Sequence, residues 1–228
     1  MPRLFFDGEC LPKNPGGIMT YGYLIYLEDG RVLSGYGVVD DVKRTNNVAE
    51  YRGLIKGVER ALQERIRSLE IYGDSMLVIK QLSGEWRIYD PHISQLASEA
   101  MGLLARFERY RLNWIPSTSN PAEELSIRAY YEEEIRRLLQ RASNLNMKKV
   151  NRLSCIVGGR LVSIDPGSRR ITCTCSDYIV KSHYYVTRIK DLQPICVHIA
   201  YLNQMLGIDI GDITRKNMAN IVRRVVNA

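Results

Sequence analysis

Residues 70–81 read EIYGDSMLVIKQ, and this stretch decides the fold of the N-terminal part of the chain. Leu69 to Tyr72 form a short strand-like run, and Met76 to Leu82 have the apolar spacing of a helix. Asp74 stands between the two, so its carboxylate is expected at the end of a strand and the start of a helix. A strand that leads directly into a helix is typical of a sheet covered by helices.

Three further segments bring an acid beside a regular element in the same manner. They are LFFDG (4–8), NNVAEYRG (46–53) and WIPSTSNPAEELS (114–126), which carry Asp7, Glu50 and the pair Glu123-Glu124. Acids at strand ends and helix starts of one sheet can meet at one rim. In-line phosphodiester hydrolysis uses two divalent ions held by carboxylates, so four such acids indicate a metal-ion nuclease.

The hydrophobic pattern predicts an α/β fold with a mixed five-stranded sheet flanked by helices. Strand-like runs come first, with Asp29-Gly30 as a hairpin turn, and strands then alternate with helices. The predicted strands are 3–6, 19–28, 31–40, 69–72 and 112–115, and the predicted helices are 46–65, 76–82, 93–107 and one that opens at Asn120-Pro121 and runs past Leu139.

In their order and approximate spacing these segments resemble the motifs of type I ribonuclease H, over about residues 1–135. The resemblance rests on Asp7-Gly8 with Asn14-Pro15-Gly16, Asn46-Asn47 before Glu50, Gly73-Asp74-Ser75 with Gln81, and Ala122-Glu123-Glu124-Leu125-Ser126. It implies the ribonuclease H-like fold and an endoribonuclease that cuts the RNA strand of RNA–DNA hybrids. It also implies two Mg²⁺ or Mn²⁺ ions per active site and products with 5′-phosphate and 3′-hydroxyl ends.

The same resemblance implies a role for each acid. Asp7 would bridge both ions, Glu50 and Asp74 would complete the ion nearer the leaving group, and the fourth acid would hold the ion that activates water. We select Glu123 as this acid, because it occupies the aspartate position of the family's Ala-Asp-x-Leu-Ser context; counting forward from Asn120 would instead select Glu124. The loop at 116–120 lacks the histidine that many family members carry.

Polar residues beside the acids are expected to bind the substrate. Asn14, Asn46, Asn47 and Gln81 match family positions that contact the minor groove of a hybrid, where 2′-hydroxyls distinguish RNA from DNA. Trp86 is expected either to pack against the DNA backbone or to be a half-buried core residue. The alternative functions are a non-catalytic hybrid-binding protein and a nuclease for double-stranded RNA or DNA. The natural substrate, whether primers, R-loops or embedded ribonucleotides, stays open.

The charge distribution indicates a second module with a different task. Residues 1–135 contain 16 Lys and Arg against 20 Asp and Glu, whereas residues 136–228 contain 16 against 5. We therefore expect a catalytic domain at 1–142 and a basic, nucleic-acid-binding domain at 150–228 that supplies attraction to phosphate. Its partner is expected to be the hybrid or another duplex, with a protein as the alternative.

The second module carries the pattern Cys173-x-Cys175 and, after 20 residues, Cys196-x-His198, which resembles the SWIM zinc finger. Three thiolates and one imidazole suit one tetrahedral, structural Zn²⁺; the alternative is a set of reduced core cysteines. Five cysteines do not suit a secreted disulfide framework, and we see no signal peptide or membrane-spanning apolar run. The expected location is the cytoplasm, with no membrane partner.

Overall fold

The computed structural model describes residues 1–142, 144–188 and 192–227, with only the backbone described for 184–188. The chain divides into two compact units, Met1–Tyr130 and Tyr131–Ala228. The division falls inside the helix Glu123–Gln140, whereas the sequence-based domains 1–142 and 150–228 place it after that helix. The domain limits 1–142 and 150–228 say which segments would fold independently, and they remain a prediction.

The first unit contains the predicted mixed five-stranded sheet. Its strands are β1 (Arg3–Leu11), β2 (Ile18–Tyr26), β3 (Val32–Val38), β4 (Ser68–Gly73) and β5 (Arg109–Trp114). The strand order is β3-β2-β1-β4-β5, with antiparallel pairing among the first three strands of the chain. β4 runs parallel to both β1 and β5. Phe5 of β1 pairs with Tyr72 of β4, so Asp7 in the middle of β1 lies beside Asp74, the residue after β4.

Helices with well-defined starts accompany this sheet. They are α1 (Asn46–Gln63), α2 (Met76–Leu82), α3 (Pro91–Leu104) and α4 (Glu123–Gln140). Thr45, Ser75 and Asp90 cap the first three by accepting hydrogen bonds from backbone N–H groups of the first turn. The apolar faces of these three helices and of the sheet form one core, in which Leu54 and Ile71 are fully buried.

The limits of several elements differ from the sequence-based prediction, and two of these differences affect site residues. β1 continues past residue 6 to Leu11, because residues up to Leu11 keep pairing with β2, and Asp7 lies opposite Gly22 in mid-strand. The helix expected to open at Asn120-Pro121 begins at Glu123, after a 3₁₀ turn at Ser117–Ser119. Asn120 instead accepts the backbone N–H of Ala122 through its side chain, which holds the residues before the helix in a turn.

Among the described residues, the second unit contains the C-terminal part of α4, a four-stranded antiparallel sheet and four further helices. The strands, in spatial order, are β6 (Met147–Asn151), β7 (Ser154–Val157), β8 (Arg160–Asp165) and β9 (Arg170–Cys173). The helices are α5 (Ser176–Arg188), α6 (Val197–Leu206), α7 (Ile210–Thr214) and α8 (Met218–Asn227). Gly158 and Gly159 both have positive φ at the tight β7–β8 turn, which L side chains rarely adopt. Among the described residues, no helix is both long enough and apolar enough to cross a membrane.

Candidate metal and nucleic-acid sites

Three of the predicted acids meet where β4 ends beside β1 and α1. Asp7 comes from β1, Glu50 from the second turn of α1, and Asp74 from the residue after β4. Each offers a carboxylate oxygen, and these oxygens all lie within 4.8 Å of one another. A group of carboxylates at this separation suits hard divalent cations, which prefer oxygen ligands.

Close packing of α1 on β1 brings two of these acids together. A Cβ added to Gly8 would lie 2.2 Å from the backbone nitrogen of Glu50, and one added to Gly53 would lie 2.4 Å from the carbonyl oxygen of Asp7. Only glycine permits helix and strand backbones to approach so closely. The glycines of the two motifs therefore determine the distance between Asp7 and Glu50.

Two residues that the sequence analysis did not select orient the acids. The Ser126 hydroxyl on α4 donates a hydrogen bond to the Asp7 carboxylate. The Asn120 amide donates to the carbonyl oxygen of Phe6 at 2.9 Å and to Asp74 Oδ1 at 3.1 Å. Both residues lie within the quoted motif WIPSTSNPAEELS, where their polar type beside the fourth acid was the available signal.

Burial makes the ionised form of these acids costly. It raises the pKa of Asp7 and of Glu50 well above the usual range, and the negative charges around them raise both further. Burial also raises the pKa of Asp74, although the hydrogen bond from Asn120 opposes that shift. Among the described residues, no hydrogen-bond donor reaches the buried Glu50 Oε2. Crowded carboxylates with an unpartnered oxygen fit a cation better than a structural hydrogen-bond network.

A fifth acid, Glu9, belongs to this region and was missed by the sequence analysis. It follows Asp7 by two residues on β1, so both side chains emerge on the same face of the strand. Burial, together with the charge of Glu123, raises the pKa of Glu9 to about 7. Strand alternation was the signal that could have found Glu9 once β1 was known to continue past residue 6.

The fourth predicted acid, Glu123, lies at the first residue of α4. Its carboxylate does not belong to the cluster of Asp7, Glu50 and Asp74, whose oxygens lie within 4.8 Å of one another. Its negative charge nevertheless contributes to the raised pKa of both Asp7 and Glu9. Its carbonyl oxygen also lies 2.8 Å from the hydroxyl oxygen of Ser126, which contacts Asp7. These observations favour the predicted Glu123 over Glu124 as the acid that acts with the other three, and the assignment remains a prediction.

The predicted substrate-binding amides divide into two groups. Asn46 accepts the backbone N–H of Cys10 at 2.7 Å, donates its own backbone N–H to Asn14 Oδ1 at 3.1 Å, and directs its amide nitrogen to Glu9 at 3.5 Å. Asn14 and Asn46 thus form one network with the acidic site. Gln81 instead accepts a hydrogen bond from the Tyr51 hydroxyl at 2.9 Å.

Asn47 and Trp86 are on the surface of the first unit. Asn47 is exposed at the second residue of α1. The Trp86 side chain is 49% exposed, which leaves its ring accessible and argues against a role in the core. Contact of Trp86 with a DNA backbone remains a prediction.

The second unit brings its four predicted metal ligands together. Cys173 ends β9, Cys175 precedes α5, Cys196 is the N-cap residue of α6, and His198 lies in the first turn of α6. One ligand atom from each lies within 4.8 Å of all the others, and His198 Nδ1 is 3.7 Å from Cys173 Sγ and 3.8 Å from Cys196 Sγ. Three sulfurs and one imidazole nitrogen at these separations match tetrahedral zinc.

Residues 5–129 match the reverse-transcriptase-like family, and since this match covers more than half of the chain, the chain belongs to that family. Its N-terminal part is a ribonuclease H-like domain. The ribonuclease HI of Halobacterium salinarum is 35% identical over 117 residues, 51% of this chain and 57% of that protein. The bifunctional protein Rv2228c of Mycobacterium tuberculosis is 34% identical over 107 residues, 47% of this chain and 29% of that protein. The chain thus spans only part of the length of these relatives.

Solved structures confirm the fold of the first unit. The N-terminal RNase H domain of Rv2228c, solved as a fusion with maltose-binding protein, is 29% identical with a TM-score of 0.55, over 60% of this chain and 97% of that chain. RNase H1 of H. salinarum is 32% identical with a TM-score of 0.54, over 57% and 98%. LC11-RNase H1, solved in complex with an RNA/DNA hybrid, is 25% identical with a TM-score of 0.53, over 59% and 99%.

Proposed function

We propose that the protein is a ribonuclease H that hydrolyses the RNA strand of RNA–DNA hybrids and leaves 5′-phosphate and 3′-hydroxyl ends. The observation that carries this proposal is the cluster of Asp7, Glu50 and Asp74, in which no hydrogen-bond donor of the described residues reaches Glu50 Oε2. Support comes from the fold, which is similar to ribonuclease H1 structures that include one bound to a hybrid. These similar structures cover the first unit, and the activity of the whole chain is therefore proposed here.

Each acid has a task in this proposal. Two bound Mg²⁺ or Mn²⁺ ions would polarise the scissile phosphate and assist both the attacking water and the leaving oxygen. As the family resemblance implies, Asp7 would be shared by both ions, with Glu50 and Asp74 completing one and Glu123 the other. Ser126 and Asn120 orient Asp7 and Asp74 in advance, so these carboxylates need little rearrangement on binding.

The Asn14–Asn46 network would give the enzyme its preference for an RNA strand. The Asn46 amide is oriented by Cys10 N–H on one side and by Glu9 on the other. An amide held beside the acids can donate to, or accept from, a ribose 2′-hydroxyl, which DNA lacks. Asn47, Gln81 and Trp86 would extend the contact along the minor groove and the DNA backbone.

The second unit would hold one Zn²⁺ through Cys173, Cys175, Cys196 and His198. All four positions are protein ligands, so the role of this metal would be structural. A structural zinc contributes on the order of 10 kcal/mol of folding free energy in small domains, which suits a unit with a modest core. The unit would attract nucleic acid through its excess of basic residues.

Cleavage of an end-labelled RNA–DNA hybrid with Mg²⁺ or Mn²⁺ tests the proposal, with double-stranded RNA and double-stranded DNA as comparison substrates. The matched blank is Asp74→Asn, which removes one charge from the cluster and leaves the hydrogen-bond acceptor for Asn120. We expect cleavage confined to the RNA strand of the hybrid and absent in the variant. Tight binding without cleavage would make this a non-catalytic hybrid-binding protein, and faster cutting of either duplex would make it a nuclease for that duplex.

A further inference from the structure

The helix α8 and the loops around its start present a concentration of positive charge. α8 buries Met218, Ile221 and Val225, and turns Arg223 and Arg224 outward. Near its start are Lys216, in the loop after α7, and Arg169, in the β8–β9 turn. We refer to Arg169, Lys216, Arg223 and Arg224 as the α8 basic surface.

Two clefts are lined by these cations. One, of about 510 Å³, is lined by Arg223 and Arg224 together with residues of α6 and α7. The other, of about 410 Å³, is lined by Arg169, Lys216 and the first residues of α8. Asp212 is the sole acid among the described residues that line them, and its Oδ1 already accepts from two asparagine amides. The clefts therefore favour an anionic ligand.

Three cations elsewhere in the second unit are neutralised by ion pairs. Arg136 and Arg137 on α4 pair with Glu133, and Lys181 on α5 pairs with Glu134 and Asp177. By contrast, no carboxylate of the described residues forms an ion pair with Arg169, Arg223 or Arg224. Arg169, Arg223 and Arg224, which line the two clefts, therefore keep their positive charge available to a partner. The net charges of the two units point the same way, because residues 1–130 carry 16 basic and 17 acidic residues and residues 131–228 carry 16 and 8.

We propose that the α8 basic surface binds the sugar–phosphate backbone of a nucleic-acid duplex, independently of base sequence, and so raises the affinity of the full chain for its hybrid substrate. The identity of that substrate rests on the proposed function. Arg223 and Arg224 lie on α8 and Lys216 lies in the loop before it, so the cations are spread over adjoining segments of the chain. Cations spread in this way can contact several phosphates at the same time.

The residues that line the two clefts favour a duplex over a single strand as the ligand. Proteins that bind single strands without sequence preference combine cations with aromatic rings on which bases stack. The described residues that line the two clefts include no aromatic side chain. Contacts to phosphate alone are the sequence-independent mode by which duplexes are bound.

The test compares full-length variants in an Asp74→Asn background, so that hybrid binding is measured without cleavage. Arg169→Gln, Lys216→Gln, Arg223→Gln and Arg224→Gln are combined, and the Kd for a fluorescent hybrid is measured at several salt concentrations. We expect at least a tenfold rise in Kd and a salt slope smaller by about 0.9 for each phosphate that the variant no longer neutralises. Double-stranded DNA should show the same weakening, because the surface reads no bases.

Matched variants distinguish a localised surface from a general charge effect. Arg223→Gln with Arg224→Gln is compared with Lys148→Gln with Arg152→Gln, which removes equal charge from β6 and the turn that follows it. Equal weakening by the two pairs would overturn the proposal, as would unchanged affinity in the fourfold variant. Arg223→Lys with Arg224→Lys, which keeps the charge, should retain most of the affinity. Retention of bound zinc and of the circular dichroism spectrum verifies folding.

Failure of the proposed function gives a different result. If the chain with Asp74 intact cleaves no hybrid, while the fourfold variant still loses affinity for duplexes, the ribonuclease assignment fails and the α8 basic surface stands. If the chain cleaves hybrid and the fourfold variant binds as tightly as its parent, the surface fails and the ribonuclease assignment stands.

Discussion

Replacing Glu50 with glutamine should stabilise the protein in metal-free buffer and abolish hydrolysis. Carboxylate oxygens of Glu50, Asp7 and Asp74 all lie within 4.8 Å of one another. Two unit charges at that distance repel by about 3 kcal/mol at an effective dielectric constant of about 20. The substitution removes two such repulsions, although protonation already relieves part of them in the wild type, because burial and these charges raise the pKa of Glu50.

We therefore expect a gain of about 2–3 kcal/mol in the free energy of unfolding near pH 8, and a Tm higher by about 5–10 °C. A carboxyl group whose pKa is raised on folding destabilises the folded state once the pH exceeds its unfolded pKa. The wild type should thus lose stability as the pH rises from the unfolded pKa toward the folded pKa of Glu50. The advantage of the variant should be small near pH 4.5 and should grow as the pH rises.

Thermal unfolding near pH 5 and near pH 8, with and without Mg²⁺, measures the effect. Mg²⁺ should raise the Tm of the wild type more than that of the variant, because the cation offsets the same repulsion that the substitution removes. Glu59→Gln is the matched control, since Glu59 lies on the same helix and forms a surface ion pair with Lys56. The control should change stability by no more than about 0.5 kcal/mol.

Two results would refute this reasoning. One is a Glu50→Gln variant no more stable than the wild type near pH 8 without metal. The other is an equal effect of Mg²⁺ on both proteins, which would mean that the three carboxylates do not form the cation site.

Three further substitutions test the rest of the site. Glu123→Gln should lower the hybrid-cleavage rate far more than Glu124→Gln, because the charge of Glu123 reaches Asp7; the reverse order would make Glu124 the fourth acid. Glu9→Gln should gain about 2–3 kcal/mol of stability above about pH 7 and little below about pH 4.5 in urea unfolding, since the pKa of Glu9 is raised to about 7. A pH-independent difference would exclude that cause. Cys175→Ser should release zinc, measured by metal analysis, and weaken hybrid binding; unchanged binding would separate the zinc module from substrate affinity.

Local patterns in the sequence determined most elements of the first unit and their class. The stretch around Asp74 predicted a helix from Met76 to Leu82, and α2 has those limits, because apolar spacing and the Ser75 cap act within a few residues. The mixed five-stranded sheet was also predictable, since strand-like runs first follow one another and then alternate with helices. The CxC and CxH pairs similarly indicated a four-ligand site that the fold then brought together.

Only the tertiary structure decided how these elements meet. The extension of β1 to Leu11 depends on pairing with β2, so the placement of Asp7 in mid-strand and of Glu9 beside it could not be read from residues 3–6. The close approach of α1 to Gly8 and the hydrogen bond from Ser126 to Asp7 join residues distant in sequence. The position of the unit boundary inside α4 has the same origin. Periodicity reports which side of an element is buried, whereas contacts between elements depend on which partners fill that side, and this information is not local.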